Sequence, residues 1–166
     1  RMSNPATPSV LSFGKVLANG ATNVIPSEVY VEGTFRTFDE NWRNEAHEKL
    51  KKLIEGIGES MGAEIELEIR KGYPFLKNDL DLTDRAKNYA IDYLGADKVV
   101  DLDIWMASED FAFYSQKIPA SFYRLGVRNE DKGIISSVHT PSFDIDEEAL
   151  KTGMGLMAYL AIQELS

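Results

Sequence analysis

The chain has 166 residues, 43% of them hydrophobic, and carries 18 basic against 27 acidic side chains for a net charge of -9. That is enough material for one good core or two small ones, and the acidic balance sets aside a nucleic-acid groove, which needs the opposite sign. Cysteine is absent, which excludes disulfides and thiolate metal sites and leads us to expect a reducing, cytoplasmic setting.

No apolar run approaches membrane-spanning length, and the opening residues do not read as a signal peptide. Arg1 before Met2, running straight into Ser-Asn-Pro, reads as an interior segment. Residues 1–9 are expected to be a connecting loop, with two prolines among small polar residues. Val10 to Leu17 reads as a strand, with Val10, Ser12, Gly14 and Val16 on one face and Leu11, Phe13, Lys15 and Leu17 on the other. Turn residues Asn19-Gly20 and Thr22-Asn23 follow, then the short apolar Val24-Ile25, stopped by Pro26. From Glu28 to Phe38 the pattern alternates again, with Val29, Val31, Gly33 and Phe35 inward, and predicts a second strand.

Asp39 is a suitable N-cap for a helix reaching about Met61, its apolar positions Trp42, Ala46, Leu50, Leu53, Ile54, Ile57 and Met61 spaced by three and four. Lys49, Lys51 and Lys52 are interleaved with Glu45, Glu48 and Glu55, so they read as a solvated helix face and not a nucleic-acid stripe. His47 reads as an exposed helix residue. Gly62 stops the helix, and Ala63, Ile65, Leu67 and Ile69 then alternate with Glu64, Glu66, Glu68 and Arg70, which predicts a half-buried strand.

After Gly72-Tyr73-Pro74 a second piece begins. Residues 82–94 form an amphipathic helix ended by Gly95; Val99 to Ile104 reads as a strand or approach loop. Ser108 is placed to cap a short helix Glu109–Lys117, Ser121 to Val127 reads as an apolar strand, and residues 128–137 as a polar loop. Asp146 is expected to cap a final helix with Glu147 and Glu148 in its first turn. The order of elements predicts an α+β piece over about residues 10–71 and half of an α/β layer structure over about 79–166.

Three clusters hold groups that chemistry can use. Asn23 and Arg36 flank a loop and strand, where an amide and a guanidinium could converge on one carboxylate or oxyanion; read alone they serve equally as a turn residue and a strand surface residue. Ser108-Glu109-Asp110 stands at a predicted helix start, where the acids also suit plain capping. His139, in a loop before Thr140-Pro141-Ser142, could be a metal ligand, a general base or a surface residue.

Taken in order, NVIP (23–26), GTFRTFDE (33–40), GYPFLKND (72–79), ASEDFAFY (107–114), FYRLG (122–126) and HTPSFDIDEEAL (139–150) resemble the two-domain metallopeptidase family of aminoacylases and zinc carboxypeptidases. Within it the pattern is similar to N-acyl-amino-acid amidohydrolases, hippurate hydrolases and auxin-conjugate (IAA-amino acid) hydrolases. The resemblance implies that residues 1–78 are the later part of a ferredoxin-like lid, or dimerisation, domain and residues 79–166 the C-terminal part of an α/β catalytic domain. It implies two divalent metals, zinc or manganese, a metal-bridging water deprotonated by a Glu general base, small N-acyl amino acid or peptide-like substrates, and a homodimer formed through the lid. By position His139 matches the last metal ligand, Asn23 and Arg36 match lid residues that bind substrate carboxylate or oxyanion, and Glu109 and Asp110 match a substrate-pocket motif. The other ligands, the general base and the lid's first strand and helix belong to a part of the family pattern that this chain lacks, so the chain alone is expected to be inactive with its metals absent or incomplete. A stand-alone dimerisation or binding module, or a relative that keeps only the scaffold, is the alternative.

Overall fold

The computed structural model describes residue 3 and residues 5–166, so the expected N-terminal loop falls partly outside the described residues. The chain divides into two compact units, Arg1–Leu76 with Ile104–Phe113, and Lys77–Asp103 with Tyr114–Ser166. The architecture is mixed α+β, with one two-stranded sheet among the described residues.

In the first unit, β1 (Ser9–Leu17) pairs antiparallel with β2 (Tyr30–Thr37). Both lie where alternation predicts them. The faces of β1 differ from the expectation. Phe13 pairs with Gly33 but Lys15 with Glu32, so Gly14 is an extra residue that bulges out of the ladder. Beyond such a bulge the alternation changes sides, so Val16, opposite Val31, joins Leu11 and Phe13, opposite Phe35 and Gly33. Val10, Ser12, Lys15 and Leu17 take the other face with Arg36, Thr34, Glu32 and Tyr30. The Lys15–Glu32 ion pair and the Lys15 ammonium 5.0 Å from the Tyr30 ring centre sit on that polar side. Gly33 is required by close approach, since a Cβ there would lie 2.6 Å from the Ser12 carbonyl and 2.7 Å from the Phe13 ring.

Helix α1 (Glu40–Met61) starts where Asp39 accepts the Trp42 amide at 2.9 Å. Its Trp42 ring meets Phe35 edge-on at 6.2 Å and donates through Nε1 to the Ser9 hydroxyl at 2.7 Å, which packs the helix start against the sheet. Gly62 ends the helix at φ 65°, with its amide and that of Ala63 both returning to the Gly58 carbonyl. His47 departs from its expected exposure: it is half-buried, its ring 6.4 Å from Phe35.

Residues 63–70 keep the predicted alternation only in their second half, where Leu67 and Ile69 are half-buried between exposed Glu66, Glu68 and Arg70; Ala63 and Ile65, expected inward, are exposed, and the segment forms no ladder. Alternation specifies which side chains turn inward, but a strand also needs a hydrogen-bonding neighbour. Residues 99–104 and 121–127 likewise form no ladder.

In the second unit α2 (Leu80–Leu94) begins two residues earlier than expected, because Asp79 accepts the Leu82 amide at 2.9 Å. A 3-10 turn, Ala96–Lys98, follows Gly95. The expected helix over 109–117 contracts to the single turn α3 (Ala112–Ser115), which straddles the boundary between the units. Helix α4 (Glu148–Leu165) packs against α2; Tyr93 stacks on Tyr159 at 5.3 Å, and Arg85 Nε and Nη2 close on both oxygens of Glu164. Gly155 permits this contact, since a Cβ there would fall 2.0 Å from the Tyr93 hydroxyl. Asp146 accepts the Glu148 amide at 3.3 Å as expected, although Glu147, already helical in backbone, occupies the position just before the helix. Buried apolar residues are few among the described ones, namely Ala90, Ala112, Ala120 and Leu156. Phe13 and Val16 on the apolar face of β1 are each 62% exposed. No helix among the described residues is long and apolar enough to cross a membrane.

Candidate functional site

Arg36 lies on β2, three residues before Asp39, the N-cap of α1. It is half-buried, and its Nη1 donates to the Met106 carbonyl at 2.9 Å. No carboxylate among the described residues pairs with it. The contact brings the 104–113 segment, with its Ser-Glu-Asp motif, beside the strand that carries the guanidinium. At the far end of that segment Phe113 meets the Tyr73 ring edge-on at 5.7 Å.

Within the segment Glu109 is half-buried and its carboxylate accepts the Phe111 amide at 3.3 Å, while its carbonyl accepts from Ala112. Asp110 is exposed and its carbonyl accepts from Phe113 at 3.0 Å. Glu109 thus performs the local capping expected of Ser108. The reason is spacing, since the helical turn starts at Ala112 and places Glu109 three residues ahead of it.

Asn23 occupies the tip of a two-residue turn closed by paired amides and carbonyls of Ala21 and Val24, at 2.9 and 3.1 Å, beside a shallow open concavity that Gly20 and Pro26 also line. The register separates it from Arg36. Leu17 and Tyr30 close the loop end of the hairpin, and Arg36 is paired with Val10 near the opposite end. Six strand residues span about 20 Å, so the register sets Arg36 at the end of the hairpin opposite to the loop that carries Asn23. Sequence spacing could not reveal this, because it does not say which end of a strand faces the loop's functional group.

His139 belongs to the second unit and is exposed. Among the described residues it is the one non-glycine with a positive φ, at 65°, a conformation that disfavours a Cβ and directs attention to function. The loop around it is closed by the Ser136–Ser142 hydroxyl pair at 2.9 Å, by the Thr140 hydroxyl donating to the Ser137 carbonyl at 2.8 Å, and by the Phe143 amide on the Thr140 carbonyl at 3.1 Å. The loop's exit is anchored where Asp146 accepts from Asn129 and from Lys132; these bonds hold the Asp146 carboxyl down at about 2. The other histidine, His47, has its pKa lowered by burial and then by the nearby Arg43, Lys71 and Lys51 cations.

Among the described residues no three His, Asp or Glu side chains gather at a metal-sized site. One imidazole does not fit a resident catalytic zinc, which takes at least three protein ligands.

The features missed at the level of sequence are the Met106 carbonyl and the left-handed backbone at His139. A carbonyl carries no residue signal, and His is only somewhat enriched at positive φ.

A family profile described as peptidase family M20/M25/M40 matches residues 6–163. A thermostable carboxypeptidase 2 of Saccharolobus solfataricus is 32% identical over 164 residues, covering 98% of this chain and 41% of the relative. An IAA-amino acid hydrolase ILR1-like 4 of Arabidopsis thaliana is 34% identical over 173 residues, covering 99% and 38%. Among solved structures, the Bacillus subtilis YXEP protein, a dinuclear metal-binding peptidase of the M20 family, superposes with a TM-score of 0.74 at 33% identity, covering 95% of this chain and 42% of that one. The chain therefore spans about two-fifths of the length of these relatives. The chain belongs to peptidase family M20/M25/M40, whose relatives here are hydrolases and peptidases.

Proposed function

We propose that this chain is the C-terminal portion of a divalent-metal-dependent amidohydrolase that cleaves N-acyl amino acids or related amides. Residues 1–78 serve as the later part of a lid that pairs two copies, and residues 79–166 as the C-terminal part of the catalytic domain. Arg36 takes the substrate carboxylate; a guanidinium without a carboxylate partner among the described residues, set beside the Ser-Glu-Asp segment, is the observation that carries this reading. Glu109 and Asp110 offer polar groups to the same substrate, and Asn23 offers an amide from a separate position at the hairpin tip. His139 contributes one ligand to a zinc or manganese site whose other ligands, and the general base, lie outside these residues. His139 would be one of the groups holding such a metal, which would supply Lewis-acid polarisation of the amide carbonyl.

The family membership and the ordered motifs support this reading, and the exposed apolar side chains of Phe13 and Val16 support pairing of copies. The same exposure favours one alternative, a module whose work is association alone. Joining this chain to its upstream coding sequence and assaying N-acetyl and N-benzoyl amino acids with zinc or manganese separates the two. Chelator-sensitive hydrolysis by the longer protein is the expected result. A longer protein that dimerises but stays inert with every substrate and metal favours the association module.

A further inference from the structure

Arg36 uses only one of its five N–H donors on Met106. With Nη1 committed, the opposite edge of the guanidinium, Nε with Nη2, remains in the side-on fork that accepts a carboxylate through two parallel hydrogen bonds. Arg85 uses that same edge on Glu164 in this protein, at 2.9 and 2.8 Å.

The Met106 carbonyl is available because of the local turn. The Ala107 amide bonds back to the Trp105 carbonyl at 2.9 Å, so Met106 is the central residue of a tight turn and its own carbonyl lies outside that bond. The segment's other end is held by the Tyr73–Phe113 ring contact, and the Tyr73 carbonyl accepts from Arg43 at 2.6 Å. Residues 107–112 are thus pinned at both ends to the unit that carries Arg36.

We propose that Arg36 is a two-sided clamp: Nη1 docks the 104–113 segment through the Met106 carbonyl while Nε and Nη2 bind the substrate carboxylate, so that carboxylate binding and segment docking reinforce each other. This rests on the carboxylate role given to Arg36 above. Filling the far edge with an anion restrains the guanidinium plane and strengthens the bond at Nη1, and by linkage a docked segment tightens carboxylate binding by the same factor. Lysine cannot replace it, since an ammonium is a point donor with no second, fixed edge. In this scheme Met106 is a positioning residue that acts through its backbone.

The test is hydrogen exchange across residues 104–113, read by mass spectrometry with and without N-benzoylglycine, in the wild-type chain and in Arg36→Lys. The clamp predicts that exchange in the free Arg36→Lys chain is faster by about tenfold, the scale of losing a charge-assisted hydrogen bond. N-benzoylglycine slows exchange in the wild type and leaves Arg36→Lys unchanged. Protection of the β1–β2 amides reports whether the variant is folded. Tyr73→Leu supplies an independent arm, because it loosens the segment with Arg36 intact and is expected to weaken N-benzoylglycine binding severalfold. Equal exchange in wild type and Arg36→Lys overturns the clamp. Loosening by Arg36→Lys without any N-benzoylglycine binding to the wild type overturns the carboxylate role and with it the coupling. Binding that leaves the segment's exchange unchanged overturns the coupling alone, and the carboxylate role survives.

Discussion

Replacing His139 by glycine and by alanine separates what its backbone requires from what its imidazole does. At φ 65° a residue with a Cβ sits in the left-handed region, at a penalty of about 1–2 kcal/mol. Glycine escapes that penalty but brings about 0.5–1 kcal/mol of extra freedom in the unfolded chain. Alanine escapes nothing, so His139→Gly is expected to be more stable than His139→Ala by about 0.5–1 kcal/mol. Both tryptophans, Trp42 and Trp105, belong to the first unit, so their fluorescence does not follow the unit that holds His139. Slow amide exchange in α2 and α4 does, and the difference should appear there as about two- to fivefold slower exchange in the glycine variant. Equal or slower exchange in the alanine variant would refute the argument, since it would mean that the loop does not hold position 139 left-handed in solution. If the order is as expected, His139→Gly becomes the preferred probe of the ligand role, because it removes the imidazole and keeps the backbone path.

Gly62→Ala should destabilise the first unit by about 0.5–1 kcal/mol in urea unfolding followed by tryptophan fluorescence, because φ is 65°, glycine's extra freedom in the unfolded chain offsets part of the left-handed penalty, and no neighbouring atom lies within 4 Å to add a clash; Gly62→Asn should recover part of the loss. Asp146, held at about 2 against a normal 3.8, binds its proton less readily when folded. Its contribution is therefore present above pH 3.8 and lost as pH falls toward about 2, and Asp146→Asn should flatten stability against pH in that window. His47 follows the same sign at higher pH: burial lowers its pKa below 6.5, so the unfolded chain takes up the proton first and stability falls as pH drops below 6.5. His47→Gln should remove that dependence, as monitored by the midpoint of unfolding of the first unit.

Much of the local structure was legible because its determinants are local. Asp39 and Gly62 mark the ends of α1 through an N-cap and a left-handed C-cap, both chemical preferences of single residues. The alternation at 28–38 identified β2 for similar reasons. Residues 63–70 show where that reasoning stops: Leu67 and Ile69 turn inward as the pattern asks, Ala63 and Ile65 stay exposed, and ladder formation depends on a neighbour that pattern cannot supply. The bulge at Gly14 was hidden because one inserted residue leaves the composition of β1 unchanged while reversing its faces. Candidate residues Arg36, Glu109 and Asp110 were recognisable by type and order, and the structure adds that the first is bonded into the segment of the other two. The distance between Asn23 and Arg36 was not recognisable, since it follows from the register of the hairpin.

On the proposed reading, this chain contributes one ligand to a metal centre and part of a substrate site, and is not by itself a working hydrolase. The direct measurement is the metal content of the purified chain after incubation with zinc or manganese and desalting, together with its turnover of N-acetyl and N-benzoyl amino acids. The account predicts well under one tightly held metal per chain and no chelator-sensitive hydrolysis. Two retained metals per chain, with hydrolysis abolished by chelator and restored by metal, would contradict it.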